Sequence, residues 1–172
     1  SIPSVLLNGK VIKNNLITRE IIKGLLLPRK ADSHKGDYGH ALLIGGSVGM
    51  MGAIAMSSAA ALRSGAGLVT VALPKSLVYA FQSAHLEIMA RALEETEGKI
   101  SSKALPVIAE MLNKSSACGI GPGMSVYPES MEIIEFVLQN AKQPVLIDAD
   151  GINALAQDKN LLKKRNTPVV IT

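Results

Sequence analysis

Between His34 and Ala72 the chain runs through a polar loop, a short apolar stretch, a cluster of glycines, a row of small residues and a second apolar stretch. Ala41–Ile44 has the length and composition of a buried strand. Gly45, Gly46, Gly49 and Gly52 punctuate the turn that follows, with Ser47 as the one hydroxyl between them. Ala53 to Arg63 reads as a helix, and Gly65-Ala66-Gly67 stops it, because glycine takes a left-handed backbone without a Cβ penalty. Leu68–Leu73 is the next strand, closed by Pro74. Strand, crossover helix and strand within about 35 residues make a βαβ unit, which commits the chain to a parallel sheet.

The alternation continues beyond it. Ser76–Ala84 reads as a helix, Glu87–Arg91 as a short strand and Glu94–Lys99 as a charged connection. Ser102–Lys114 is a helix capped by Ser101 or Ser102, with Pro106 near its first turn, where proline is tolerated. Ala117–Ile120 is a strand running into Gly121-Pro122-Gly123. Ser130–Ala141 is an amphipathic helix with Ile133, Ile134, Val137 and Leu138 on one side. Val145–Ile147 is a strand ending in Asp148-Ala149-Asp150, Ile152–Lys163 is helical and Val169–Ile171 is a last strand. Apolar strands alternating with helices predict a mostly parallel central sheet covered on both faces. Ahead of this, Ser1–Asn15 suggests a small hairpin between Val5–Leu7 and Lys10–Ile12, and Thr18 opens a short helix through Leu27, ended by Pro28. Residues 1–28 therefore read as a leader, and 29–172 as one α/β domain.

Composition narrows the functional classes. The net charge is +4, but Lys and Arg are scattered, and only three Tyr and two Phe are available to stack on bases. Nucleic-acid binding is disfavoured, while a mildly basic surface suits anionic small molecules. Met50–Leu62, the longest nearly apolar stretch, is too short to span a bilayer. The single cysteine, Cys118, forms no intramolecular disulfide and sits in an apolar strand. Ser1–Lys13 lacks the charged start and long apolar core of a secretory signal, so a cytoplasmic location is expected.

Ligands of open parallel sheets bind outside the carboxyl ends of the strands. Three segments qualify: Gly45–Gly52, Gly121–Met124 and Asp148–Asn153. The first is neither G-x-x-x-x-G-K-[ST] nor G-x-G-x-x-G. Either a ligand approaches the backbone here, or the glycines serve a tight turn and close helix packing; the residues leave both open. Asp148 ends an apolar strand, and a carboxylate there needs donors, a metal or water. Asp148, Asp150 and Asn153 are expected to bind substrate. Asp150 could equally be the N-cap of the helix that follows, the default for such a residue, and Asn153 on the first turn donates to a ligand or caps. His34 and His40 flank the loop without a metal-spaced His/Cys cluster or a Ser-His-Asp set.

The stretch HKGDYGHALLIGGSVGMMGA with ALRSGAGLVTVA, followed in order by GIGPGM at 119–124, LIDADGINAL at 146–155 and TPVVIT at 167–172, resembles the ADP- or ATP-dependent NAD(P)H-hydrate dehydratases of the ribokinase-like superfamily. The resemblance runs from about Arg29 to Thr172 and implies a three-layer αβα fold. It implies dehydration of (S)-NADHX and NADPHX to NADH and NADPH, with ADP or ATP as phosphoryl donor and Mg²⁺ as the companion ion. It further implies a homo-oligomer, often a tetramer, and an NAD(P)HX epimerase that is fused or separate. Ala53 and Gly123 match positions that contact the hydrated nicotinamide nucleotide, while Lys35, Gly36, Tyr38 and Gly39 match the opening motif and are expected to shape the site. The family's P-H-P-G-E and G-[ST]-G-D motifs do not occur in these residues. The catalytic Asp is therefore expected beyond Thr172, and these residues alone are expected to bind weakly without turnover. A sugar or hydroxymethyl kinase of the same superfamily and a non-catalytic nucleotide-binding module are the alternatives.

Overall fold

The computed structural model describes residues 16–26, 28–165 and 167–172, without the side chains of residues 159 and 164. In chain order its strands are β1 (His40–Ile44), β2 (Leu68–Pro74), β3 (Met89–Leu93), β4 (Glu95–Thr96), β5 (Lys99–Ile100), β6 (Ala117–Ile120), β7 (Val145–Ile147) and β8 (Val169–Ile171). Its helices are α1 (Arg19–Leu25), α2 (Met51–Arg63), α3 (Val78–Ala84), α4 (Leu105–Leu112), α5 (Pro128–Asn140) and α6 (Asp150–Leu155). Six strands form one parallel sheet in the order β3-β2-β1-β6-β7-β8. The order reverses between β1 and β6, and in open parallel sheets ligands bind at the carboxyl edge of such a reversal.

Side-chain alternation along β1 sorts the core into two layers. Leu42 and Ile44 join Ile108 of α4, Ile133 and Ile134 of α5 and Leu155 of α6. Leu43, pointing the other way, joins Ile54 of α2 and Phe81 of α3. Ile54 is fully buried, and truncating such a side chain to alanine typically costs about 2–5 kcal/mol. The two layers around the sheet match the expected three-layer αβα architecture.

Cover is uneven. On the α2–α3 side, Leu146 of β7 and Val170 of β8 are 38% and 50% exposed, so the expected cover on both faces holds for β1 and β2 and not for this end of the sheet.

Several boundaries differ from the sequence reading. α2 starts at Met51, so Gly52 lies in its first turn and not in the loop. β3 sits two residues later than expected because it pairs Thr70 with Met89 and Pro74 with Leu93. The charged connection at 94–99 contains the antiparallel pair β4–β5. The expected helix at 102–114 begins as a 3-10 turn capped by Ser101, and α5 starts two residues early with Pro128 in its first turn. The expected helix at 152–163 divides into α6 and a 3-10 segment, Lys159–Lys164.

The chain divides into two compact units, Ser1–Ser33 and His34–Thr172. In the first, Thr18 caps α1 by accepting from the Ile21 N–H, and α1 ends at Leu25. The hairpin expected between Val5–Leu7 and Lys10–Ile12 lies outside the described residues, as does Leu27. No helix among the described residues is long and apolar enough to cross a membrane.

Candidate functional site

The three expected segments do meet at the carboxyl edge, at the strand-order reversal. The register places Ile44 opposite both Ala72 and Ile120, and Ile120 opposite Ile147, so the loops after β1, β6 and β7 leave the sheet at one level. The Gly46 N–H donates to the Pro122 carbonyl at 2.9 Å, joining the first two loops. Ser47 Oγ donates to the Gly123 carbonyl at 2.8 Å and lies 3.0 Å from Ser125 Oγ. The Ser125 N–H donates in turn to Asp150 Oδ2 at 2.9 Å, which brings in the third loop.

These bonds divide the candidate residues by role. Gly45, Gly46, Ser47 and Gly123 are buried joints between loops. Gly49 and Gly52 are exposed at the start of α2, and a Cβ built on either meets no atom within 4 Å. Ala53 is half-buried beside them. Gly123 stands at φ 64°, and a Cβ there falls 2.3 Å from the Met50 carbonyl oxygen and 3.1 Å from Ala53 Cβ. Ala53 and Gly123 are therefore neighbours, and Gly123 allows close backbone packing under the loop. α2 has no side-chain N-cap, and its Ala53 N–H donates to the Met50 carbonyl at 3.3 Å.

Asp150 corrects the sequence reading. It is the first residue of α6 and not its cap; Ala149 occupies the cap position at φ 47°, ψ −118°. Its carboxylate anchors Ser125, itself at φ 68°, and Asn153 Nδ2 lies 3.4 Å from its other oxygen. Asp148 accepts from Thr172 Oγ1 at 3.0 Å. Ser125 drew no attention in the sequence, because nothing in a lone serine after Met124 announces two partners on other loops.

The opening motif lies elsewhere. Lys35–Tyr38 forms a 3-10 turn before β1, and the Tyr38 and Gly39 carbonyls accept from Gly67 and Leu68 at the amino end of the sheet. Lys35, Gly36, Tyr38 and Gly39 are thus separated from the glycine loop by the length of β1, about 15 Å. His40 bonds Thr70 and the Lys114 carbonyl at that same end, and His34 lies 3.5 Å from Asp37. Cys118 is buried as expected, and burial pushes its thiol up to about 12. Among the described residues no three His, Cys, Asp or Glu gather as a metal site.

The sequence profile of the NAD(P)H-hydrate dehydratases matches residues 41–172, which takes in all three loops. The chain belongs to this family. It is 37% identical over 172 residues to the bifunctional NAD(P)H-hydrate repair enzyme Nnr of Moorella thermoacetica, covering 99% of this chain and 32% of that protein. Among solved structures, a ribokinase-like superfamily protein from Enterococcus faecalis superposes with a TM-score of 0.75 at 25% identity, over 92% of this chain and 55% of the other. The ADP/ATP-dependent NAD(P)H-hydrate dehydratase from Bacillus subtilis, co-crystallised with ATP and Mg²⁺, superposes with a TM-score of 0.71 at 29% identity, over 90% and 50%. The dehydratase-family chain described here spans about a third of the repair enzyme and about half of the two solved proteins.

Proposed function

We propose that residues 29–172 are the N-terminal part of a dehydratase domain that repairs (S)-NADHX and NADPHX at the expense of ADP or ATP. The observation that carries the reading is the placement of the loops after β1 and β6 on either side of the strand-order reversal, within the segment matched by the family. Gly49, Gly52 and Ala53 carry nothing larger than a methyl group at the uncapped start of α2, where a nucleotide approaches backbone N–H groups closely. Gly123, having no Cβ, lets Met50 and Ala53 pack close beneath that turn, and Asp150 holds Ser125.

The chemistry follows from a poor leaving group. A hydroxyl on the hydrated nicotinamide ring attacks the terminal phosphorus of the donor, so that an O–P bond forms and the donor's bridging P–O bond breaks. The ring-nitrogen lone pair then expels phosphate, a ring carbon releases a proton, and the double bond returns. Such transfer depends on positioning and on neutralising phosphate charge, which Mg²⁺ supplies when bound. Asp148 and Asp150, the carboxylates of the loop after β7, are both engaged within the protein, and no metal-dependent step is assigned to them. The base that accepts the hydroxyl proton is assigned to none of these residues. Solubility in the cytoplasm, assembly as a homo-oligomer and pairing with an epimerase belong to the same proposal.

Titration of the full-length gene product with NADPHX, combined with amide hydrogen exchange, tests the location. Slower exchange at residues 47–53 on binding supports the reading; slower exchange confined to residues 35–39 moves the site to the amino edge.

A further inference from the structure

The segment between β3 and α4 is a docked hairpin, fixed at its base and touching the glycine loop after β1 and Tyr127 ahead of α5. Glu97 at φ 51° and Gly98 at φ 71° form the two-residue turn between β4 and β5, the backbone signs of a type I′ hairpin. At the base, Glu95 accepts from the Ser76 N–H and hydroxyl at 3.0 and 2.8 Å, and Lys75 pairs with Glu94 at 3.0 Å. Ile100 is fully buried, and its carbonyl accepts from the Tyr127 hydroxyl, four residues beyond Gly123. Lys99 Nζ stands 5.6 Å from the centre of the Tyr127 ring. At the tip, the Gly98 carbonyl accepts from the Val48 N–H at 2.9 Å.

Val48 is the exposed crest of the loop between Gly46 and Gly49, and this bond is its tie to the hairpin. Gly46 and Ser47 are held by the loop after β6, through Pro122 and Gly123, and Val48 is held by the hairpin. The contact admits no side chain: a Cβ on Gly98 falls 2.5 Å from Val48 Cγ2 and 2.9 Å from Val48 Cβ. A crest without such support samples many conformations, and a ligand that needs one of them binds more weakly by that fraction.

We infer that the β4–β5 hairpin is part of the nicotinamide-nucleotide site and that Gly98 is a positioning residue that sets the crest of the glycine loop. This rests on the function proposed above. Its class of ligand is the same hydrated dinucleotide, and the hairpin acts through loop order and not through contact with the reacting ring.

The test uses the full-length gene product and compares it with Gly98→Ala and with the double variant Gly98→Ala/Val48→Gly, in which the colliding side chain is gone. Hydrogen exchange without ligand is expected to speed up about tenfold at residues 46–50 in Gly98→Ala, while α2 beyond Ile54 is unchanged. NADPHX is expected to bind Gly98→Ala about tenfold more weakly, with part of the loss recovered in the double variant. Unchanged exchange in the loop overturns the inference. So does altered exchange with full NADPHX affinity. Failure of the unaltered protein to bind NADPHX refutes the proposed function instead, and the exchange data then decide the hairpin's hold on the loop separately.

Discussion

The backbone N–H of Ser125 donates to the Asp150 carboxylate at 2.9 Å, so that the loop after β6 is held by the first residue of the helix after β7. A carboxylate accepting from a backbone N–H makes a charge-assisted bond, stronger than a neutral one. Asp150→Ala leaves a half-buried N–H at a residue with φ 68° and is expected to cost about 1–3 kcal/mol. Asp150→Asn keeps an acceptor oxygen and is expected to cost less than half as much. Urea denaturation of both variants checks the order.

Gly123 and Gly52 are expected to behave in opposite ways. At Gly123 a methyl group meets the Met50 carbonyl oxygen at 2.3 Å under a positive φ, so Gly123→Ala is expected to destabilise by about 2 kcal/mol or more. At Gly52 the Cβ meets open space inside a helix, and Gly52→Ala is expected to gain up to about 1 kcal/mol. If the nucleotide lies against this turn, the same variant binds NADPHX more weakly. Thermal melts and titrations on the pair separate the two kinds of glycine.

Ala149 is held at φ 47°, ψ −118°, where an L-residue is strained and glycine is not. Ala149→Gly is expected to stabilise the protein by about 1 kcal/mol despite glycine's greater freedom in the unfolded chain. A chevron or equilibrium urea curve reads the change.

Strand positions and the carboxyl-edge loops were legible because buried parallel strands are short apolar runs and their turns are glycine-rich. The β4–β5 hairpin was not: Glu94–Lys99 is charged throughout apart from Thr96 and Gly98, and what orders it is docking on Val48, Ser76 and Tyr127, far away in sequence. Asp150 looked like a cap because Asp before a helical run usually is one. Its partner is Ser125, 25 residues earlier, which only the fold brings near. Lys35–Gly39 is close to the glycine loop in sequence, but β1 separates the two onto opposite edges of the sheet.

Cys118 gives a prediction about alkaline pH. Burial raises its thiol from 9.0 to about 12, so the unfolded chain loses this proton at lower pH than the folded protein does. Stability from this group is therefore full below about pH 9 and falls as pH rises toward 12, by at most about 1.4 kcal/mol per pH unit. Cys118→Ala is expected to be less stable at pH 7 but to lose less stability between pH 8 and pH 10, measured by urea denaturation.

The central claim is that these loops serve a nucleotide-dependent dehydration. The most direct measurement incubates the full-length gene product with NADPHX, Mg²⁺ and ADP or ATP, and follows the return of reduced-nicotinamide absorbance. The account predicts a return that requires the donor, is stoichiometric with phosphate released, and falls in Gly52→Ala. Consumption of ATP with phosphorylation of a sugar or hydroxymethyl group, and no NADPH formed from NADPHX, would contradict it.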